Sequence, residues 1–184
     1  YWWGGLEITA DKDAYAPGDT ARLLIKSPVT TTALVTLQRD DVYEEIAVPV
    51  RGATTIEVPI VAAYAPSVSA TVQLWQPNAN PYERGEAQLL AATTTLVVPA
   101  TDRRLNVTVT PDAPMHRPGD AGGFTIRVRD AADRPVDAQV SVAVVDKAVL
   151  ALAADLSGDI FDAFWRPRDS SVVTFDTTRP QLSY

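Results

Sequence analysis

The chain has 184 residues, a formal net charge of −7 and no cysteine, and hydrophobic residues make up 46% of it. This composition provides a buried core for one or two domains. The acidic balance argues against nucleic-acid binding, and the lack of cysteine excludes disulfides, a thiolate nucleophile and a thioester within these residues. No apolar run reaches the roughly 18 residues of a membrane-spanning helix. The first five residues do not resemble a signal peptide, so we expect the sequence to be a piece of a longer protein.

Apolar and polar residues alternate along several segments, among them residues 55–60, 71–75, 106–110 and 124–129. Such alternation predicts β-strands with one face in a core. In the last segment, Phe124, Ile126 and Val128 should face inward. Pro49 and Pro59 lie within two strand-like runs and predict edge strands, because proline has no N–H to donate. We therefore expect an all-β protein made of antiparallel sheets.

A weak internal repeat relates residues 6–28 to residues 107–129. It aligns Pro17-Gly18-Asp19 with Pro118-Gly119-Asp120, an offset of 118 − 17 = 101 residues. Proline followed by glycine predicts a type II turn between two strands, since glycine readily adopts the positive φ at the third position. An offset of about 100 residues is the size of one immunoglobulin-like sandwich. We expect two tandem sandwiches, residues 1–100 and residues 101–184.

The strand pattern breaks at Asp146, within the stretch VAVVDKAVLAL of residues 142–152. A helix-like run follows, and the Asp146 carboxylate is suited to cap its first turn. Asp159 and the residues up to Trp165 repeat this pattern, which predicts short helical turns near residues 146–165. The chain either leaves the second sandwich here or makes an ordinary crossover between its two sheets.

His116, the only histidine, aligns with Tyr15 in the repeat, which favours a packing or turn-flanking role over catalysis. Other polar groups have simple structural interpretations. The acidic cluster of Asp40, Asp41, Glu44 and Glu45 is expected to be a solvated hairpin rather than an acid/base pair or a calcium site. Three further aspartates flank a turn, namely Asp130, Asp133 and Asp137. Asn106 begins a glycosylation sequon within a predicted strand, and Trp75 points outward, where it could stack on a sugar. We predict no catalytic residue, no metal site and no cofactor.

The ordered set of motifs resembles the alpha-2-macroglobulin family in its bacterial branch. The motifs are Tyr15 to Ala21, Leu37-Gln38-Arg39, Leu105 to Asp120, Arg129 to Val140, and Val145 to Leu152. The resemblance implies two macroglobulin-like domains. The second, residues 101–184, would be incomplete and would run toward the bait region. Asp133 stands where the family commonly has glycine, and aspartate tolerates the same left-handed backbone.

Members of this family are large protease traps that change shape when an endopeptidase cuts their bait. The resemblance therefore implies a framework piece of a broad-spectrum protease inhibitor rather than an enzyme. Its partners would be target endopeptidases, met through the intact parent protein, and neighbouring macroglobulin-like domains. The parent would be periplasmic or secreted, with or without a membrane anchor. The alternative is a tandem immunoglobulin-like adhesin or carbohydrate-binding module of a secreted protein.

The carboxy-terminal stretch beyond Asp176 has little to bury and no periodicity, so ordering it would cost about 1–2 kcal/mol per residue with little return. A bait must be accessible and weakly held. We therefore expect Asp176, Thr177, Thr178 and Arg179 to be exposed and to lead directly into the bait.

Overall fold

The computed structural model of the protein describes residues 5–77, 87–117, 119–145, 148–149 and 158–174. The chain divides into two compact units. The first is Tyr1–Pro99 together with Arg166–Tyr184, and the second is Ala100–Trp165. Within this chain, the segment from Arg166 onward thus groups with the first unit. The boundaries at residues 1–100 and 101–184 stay a prediction for the domains of a longer protein.

The first unit is a β-sandwich of two antiparallel sheets, which confirms the predicted all-β fold. Its strands are β1 (Glu7–Ala10), β2 (Thr20–Lys26), β3 (Thr31–Gln38), β4 (Val42–Val50), β5 (Ala53–Pro59), β6 (Ser67–Gln76) and β7 (Gln88–Val97), with a 3₁₀ turn at Ala62–Tyr64. One sheet has the order β1-β2-β5 and the other the order β4-β3-β6-β7. Pro49 and Pro59 lie on β4 and β5, which are edge strands as predicted.

The core of the first unit lies between these two sheets. Leu23 and Ile25 on β2 and Val35 and Val72 on β3 and β6 are all completely buried. Their positions follow the period of two, so one face of each sheet is apolar. Burying an aliphatic side chain of this kind contributes about 1.5–3 kcal/mol, and this apolar layer holds the sandwich together.

The second unit contains a two-stranded antiparallel sheet and a short helix among the residues that the structure describes. These elements are a 3₁₀ turn at Thr101–Arg103, strands β8 (Asn106–Pro111) and β9 (Phe124–Arg129), and helix α1 (Ile160–Trp165). The Asp159 carboxylate accepts a hydrogen bond from the Phe161 amide at 2.8 Å, as a helix cap does. Ala148 and Val149 are helical as well, whereas the predicted cap Asp146 lies outside the described residues.

The internal repeat is confirmed by the strand register. Ile8 on β1 pairs with Ile25 on β2, and Val109 on β8 pairs with Ile126 on β9, at the same offset. The remaining β1–β2 pairs have their counterparts in β8–β9 as well. Because a slip of one residue would turn every side chain to the opposite face, a shared register means that equivalent residues share a face.

The turn between the strands is also the same in both copies. Gly18 has φ +96° and Gly119 has φ +93°, as a type II turn requires. The Asp19 amide donates to the carbonyl three residues earlier at 3.0 Å, and the Asp120 amide does so at 3.0 Å. Each aspartate carboxylate also accepts from the backbone amide three residues earlier. Pro118 itself lies outside the described residues.

The face of β9 that the sequence predicts to be inward is open. Phe124 is 48% exposed, whereas its counterpart Leu23 is completely buried. Val109 is 56% exposed, whereas its counterpart Ile8 is 6% exposed. In the first unit a second sheet covers this face, and the described part of the second unit contains no such sheet.

Candidate functional site

The predicted bait-adjacent residues, Asp176, Thr177, Thr178 and Arg179, lie outside the residues that the structure describes, so their exposure stays a prediction. The described chain before them ends at Thr174. We call residues 168–174 the approach segment. It belongs to the first unit, and its contacts show how that unit holds the chain ahead of the predicted bait.

The approach segment is held at its start by one hydroxyl group. The Ser67 Oγ accepts a hydrogen bond from the Arg168 amide at 2.9 Å and donates one to the Arg168 carbonyl at 2.9 Å. Ser67 is the first residue of β6 and is completely buried. One side chain thus satisfies both main-chain groups of Arg168.

The middle of the approach segment binds the main-chain carbonyl of Arg39. That oxygen accepts from the Ser171 amide at 2.7 Å and from the Ser171 and Ser170 hydroxyls at 3.1 and 3.3 Å. Further along, the Gln73 side-chain amide donates to the Thr174 hydroxyl at 3.1 Å. The segment is therefore bound at three places along its length.

The side chain of Arg39 is fixed within the sandwich. Its Nη1 donates to the carbonyls of Tyr64, Ala65 and Ser67 at 3.2, 2.7 and 3.1 Å, and its Nε donates to Asp40 at 3.0 Å. The whole residue is only 8% exposed. A buried guanidinium requires this degree of hydrogen bonding. These bonds hold the end of β3 against the start of β6, where the approach segment binds.

The surface under the approach segment is unusual because it is both polar and buried. It is the outer face of the β4-β3-β6-β7 sheet, since the alternate residues Val68, Ala70 and Val72 face the core. Its buried polar residues are Thr36, Gln38, Ser67, Ser69 and Thr71. Gln38 bonds to Thr36 and Thr71, and Thr71 bonds to Thr93. Among the described residues, no buried side-chain nitrogen or oxygen is left without a partner. We call this surface the polar face.

Sequence patterns did not indicate the polar face. Serine, threonine and glutamine at alternating strand positions are typical of a solvent-exposed face, and the approach segment is separated from Ser67 by 101 residues. Only the pairing of distant segments brings these groups together. The run Ser170-Ser171 carries no periodic signal that would have predicted its binding site.

His116 has a structural contact that its counterpart Tyr15 also makes. Its Nε2 lies 2.8 Å from the Asp112 carboxylate, and the Tyr15 hydroxyl donates to Asp11 at 2.7 Å. The hydrogen bond from the Tyr15 hydroxyl is the largest cause of the lowered pKa of Asp11. The pKa of Asp112 is lowered first by the Gly123 amide, which donates to it at 2.7 Å, and then by His116. The histidine therefore takes the turn-flanking position that the repeat predicts.

The acidic cluster is dispersed rather than concentrated. Asp40 pairs with Arg39, and the register places Glu44 opposite Leu37 and Glu45 opposite Thr36 on different faces. Among the described residues, no group of three or more histidine, aspartate or glutamate side chains is placed to hold a metal ion.

The aspartates near Pro135 form a turn, as predicted. The Asp130 carboxylate accepts from the amides of Ala132 and Arg134, both at 2.9 Å, and Asp133 has φ +62°. The Arg134 amide is the largest cause of a lowered pKa at Asp130. Asp137 is exposed beyond this turn.

The two residues suggested for sugars lie on strands. Trp75 is 37% exposed near the end of β6. Asn106 is the first residue of β8, and its side-chain amide donates to the Asp130 carbonyl at 3.4 Å. The sequon asparagine is thus engaged within its own unit.

The second unit has an open apolar groove of about 350 Å³. It is lined by Val107, Val109, Phe124 and Ile126 from the strands and by residues 140–145. Val142 and Val144 in the latter stretch are 59% and 77% exposed. Large apolar side chains gathered on one open face indicate a surface that another part of a protein covers.

Comparison with known proteins supports one family. The model of the alpha-2-macroglobulin bait region domain matches residues 6–152. An alpha-2-macroglobulin homolog of Deinococcus radiodurans is 30% identical over 163 residues, which are 87% of this chain and 15% of the relative. The alpha-2-macroglobulin of Ralstonia nicotianae is 32% identical over 179 residues, 93% of this chain and 11% of the relative. The chain therefore spans a small part of the length of these relatives.

Among solved structures, the native conformation of Escherichia coli alpha-2-macroglobulin is similar over 68% of this chain and 8% of its own. The sequences are 16% identical, and the TM-score is 0.45. Separately, none of the helices within the described residues has the length and apolar character needed to cross a membrane.

Proposed function

Because this chain belongs to the alpha-2-macroglobulin family, we propose that it is a framework part of a bacterial endopeptidase trap and not an enzyme. The observation that carries the proposal is the match of the bait region domain over most of the chain, residues 6–152. The approach segment adds a physical basis, since it ties the chain ahead of residues 176–179 to a rigid sandwich.

In this mechanism, the chain beyond Thr174 connects the framework to the bait. An endopeptidase binds an extended stretch beyond Asp176, Thr177, Thr178 and Arg179 and cuts it. The sandwich stays folded because its core lies between its own two sheets, and the cut frees the chain on one side of the approach segment. The parent protein then changes shape around the protease. We place this parent in the periplasm or outside the cell, with target endopeptidases and neighbouring macroglobulin-like domains as its partners.

We further propose that the second unit is the bait-bearing sandwich, completed by strands that lie outside this sequence. The support is the contrast between equivalent faces: Leu23 and Ile8 are buried, whereas Phe124 and Val109 are exposed. A two-stranded hairpin with an open apolar face is marginal by itself in water. A second sheet over the groove would give the second unit the sandwich architecture of the first.

The test of the trap uses the full-length protein and a broad-specificity endopeptidase. We expect a cut in the chain that follows residues 176–179, a change in electrophoretic mobility, and loss of protease activity on a large protein substrate. Activity on a small peptide substrate should persist, since enclosure blocks access by size and not by chemistry. The 184-residue chain alone serves as the control and should inhibit neither activity. Loss of both activities, or inhibition without any bait cut, would contradict the trap mechanism.

A further inference from the structure

We propose that the polar face is a docking site for an extended, hydroxyl-rich peptide and that the approach segment is its resident ligand, released as a unit when the following chain is cut. The release step rests on the proposed function, whereas the docking step does not. Release of the approach segment would thus communicate cleavage of the bait to the framework.

The docking is made almost entirely of hydrogen bonds. Ser67, Arg39 and Gln73 supply the partners on the sandwich, as described above. Apolar contacts add little, because Val172 is only half-buried and Val173 is 68% exposed. A hydrogen bond formed from groups that water otherwise satisfies stabilises a folded state by only about 0.5–1.5 kcal/mol. A segment bound in this way can leave without exposing a hydrophobic core.

The site on the sandwich is preformed. The Arg39 guanidinium is bound to three carbonyls of its own unit, so the Arg39 carbonyl keeps its place when the approach segment leaves. Gln38 and Thr71 are satisfied by their neighbours on the same sheet. Only the groups that bind the approach segment need new partners, and water can supply them at a small cost.

A cut in the following chain weakens the docking through chain entropy. Before the cut, the undocked segment is a loop held at both ends, and its freedom is limited. After the cut it is a tail with one free end, so the undocked state gains conformational entropy while the hydrogen bonds of the docked state stay the same. The equilibrium therefore shifts toward release without any new contact.

The experiment compares Ser67→Ala with Ser69→Ala in the 184-residue chain. Both serines are buried on the same face of β6, and the Ser69 hydroxyl makes no hydrogen bond to the approach segment in the part of the chain that the structure describes. Hydrogen exchange of the peptide covering residues 166–174 should become about tenfold faster in Ser67→Ala, since two bonds are lost. Trypsin should cut after Arg168 correspondingly faster. Ser69→Ala should leave both rates unchanged.

Equal exchange of the approach segment in the two variants would overturn the docking proposal. Exchange of the β3 and β6 peptides reports whether the sandwich itself stays folded. If Ser67→Ala loosens those strands, Gln73→Ala replaces it, because Gln73 is only half-buried on the same face. Faster exchange of residues 166–174 with unchanged strands would then support the docking, and unchanged exchange would overturn it.

The release step is tested in the full-length protein before and after bait cleavage. Exchange of residues 166–174 should rise at least fivefold after the cut, and unchanged exchange would overturn the release. If the full-length protein inhibits no endopeptidase, the proposed function fails together with the release. The Ser67→Ala result in the 184-residue chain would still decide the docking, so the two failures are distinguishable.

Discussion

Leu23 and Phe124 occupy equivalent positions in the two copies of the repeat, and truncating each to alanine should have very different effects. Leu23 is completely buried, so Leu23→Ala removes apolar contacts and leaves a cavity, at a cost of about 2–5 kcal/mol. Phe124 is 48% exposed. Because the side chain is about half buried, it gains about 1 kcal/mol of burial free energy, half of the value for full burial. Phe124→Ala should therefore lower the free energy of unfolding by no more than that.

Hydrogen exchange with mass spectrometry measures both effects in one chain, because the β1–β2 peptides and the β8–β9 peptides separate. Leu23→Ala should speed exchange in the first set by at least about thirtyfold, the equivalent of 2 kcal/mol. Phe124→Ala should speed exchange in the second set by about fivefold or less. Equal effects would refute the conclusion that the second face is open.

The same pair tests the proposed completion of the second sandwich. In the full-length protein a second sheet would cover Phe124, and Phe124→Ala should then cost about 3–5 kcal/mol, as in a closed core. A cost that stays near 1 kcal/mol in the full-length protein would show that nothing covers this face.

Three further changes have defined outcomes. Tyr15→Phe removes the acceptor of the Lys12 amide, so it should lower the free energy of unfolding by about 1 kcal/mol in urea titrations; it should also raise the pKa of Asp11 toward its ordinary value of 3.8 in an NMR titration, and an unchanged pKa would contradict the assigned cause. The pKa of Asp112 is lower in the folded state than in the unfolded state. Its contribution to the stability of the fold is therefore present above about pH 4 and is lost as the pH falls through the folded-state pKa. Asp112→Asn should therefore make β8–β9 exchange less sensitive to acid, and equal acid sensitivity would count against this linkage. Gly18→Ala forces φ +96° on a residue with a Cβ and should cost about 1–2 kcal/mol in urea, whereas a neutral effect would exclude backbone strain.

Local features of this protein were predictable because short-range chemistry determines them. The Pro-Gly turns, the capping of α1 by Asp159 and the left-handed Asp133 each depend on a few neighbouring residues. The placement of Pro49 and Pro59 on edge strands follows from a missing N–H. The repeat extended these local rules over 101 residues, because two copies of the same strand–turn–strand pattern fold with the same register.

Long-range features were not predictable from the same rules. Ser67 and Arg168 meet across 101 residues of sequence, and neither has a neighbour that indicates the pairing. Serine and threonine at alternating positions look solvent-exposed, since their chemistry suits water as well as another polar chain. On the polar face, Ser67 and Gln73 bind a segment that returns from 101 residues away.

The amino-acid sequence is therefore sufficient for the strands, turns and edges of this protein, since each follows from periodicity or from the backbone preferences of single residues. The family was indicated by the resemblance of its ordered motifs. The three-dimensional structure was needed for two findings that involve distant surfaces: the docked approach segment and the open face around Phe124. Both depend on which surface covers which, and side-chain period shows that a face is apolar or polar without showing what packs against it.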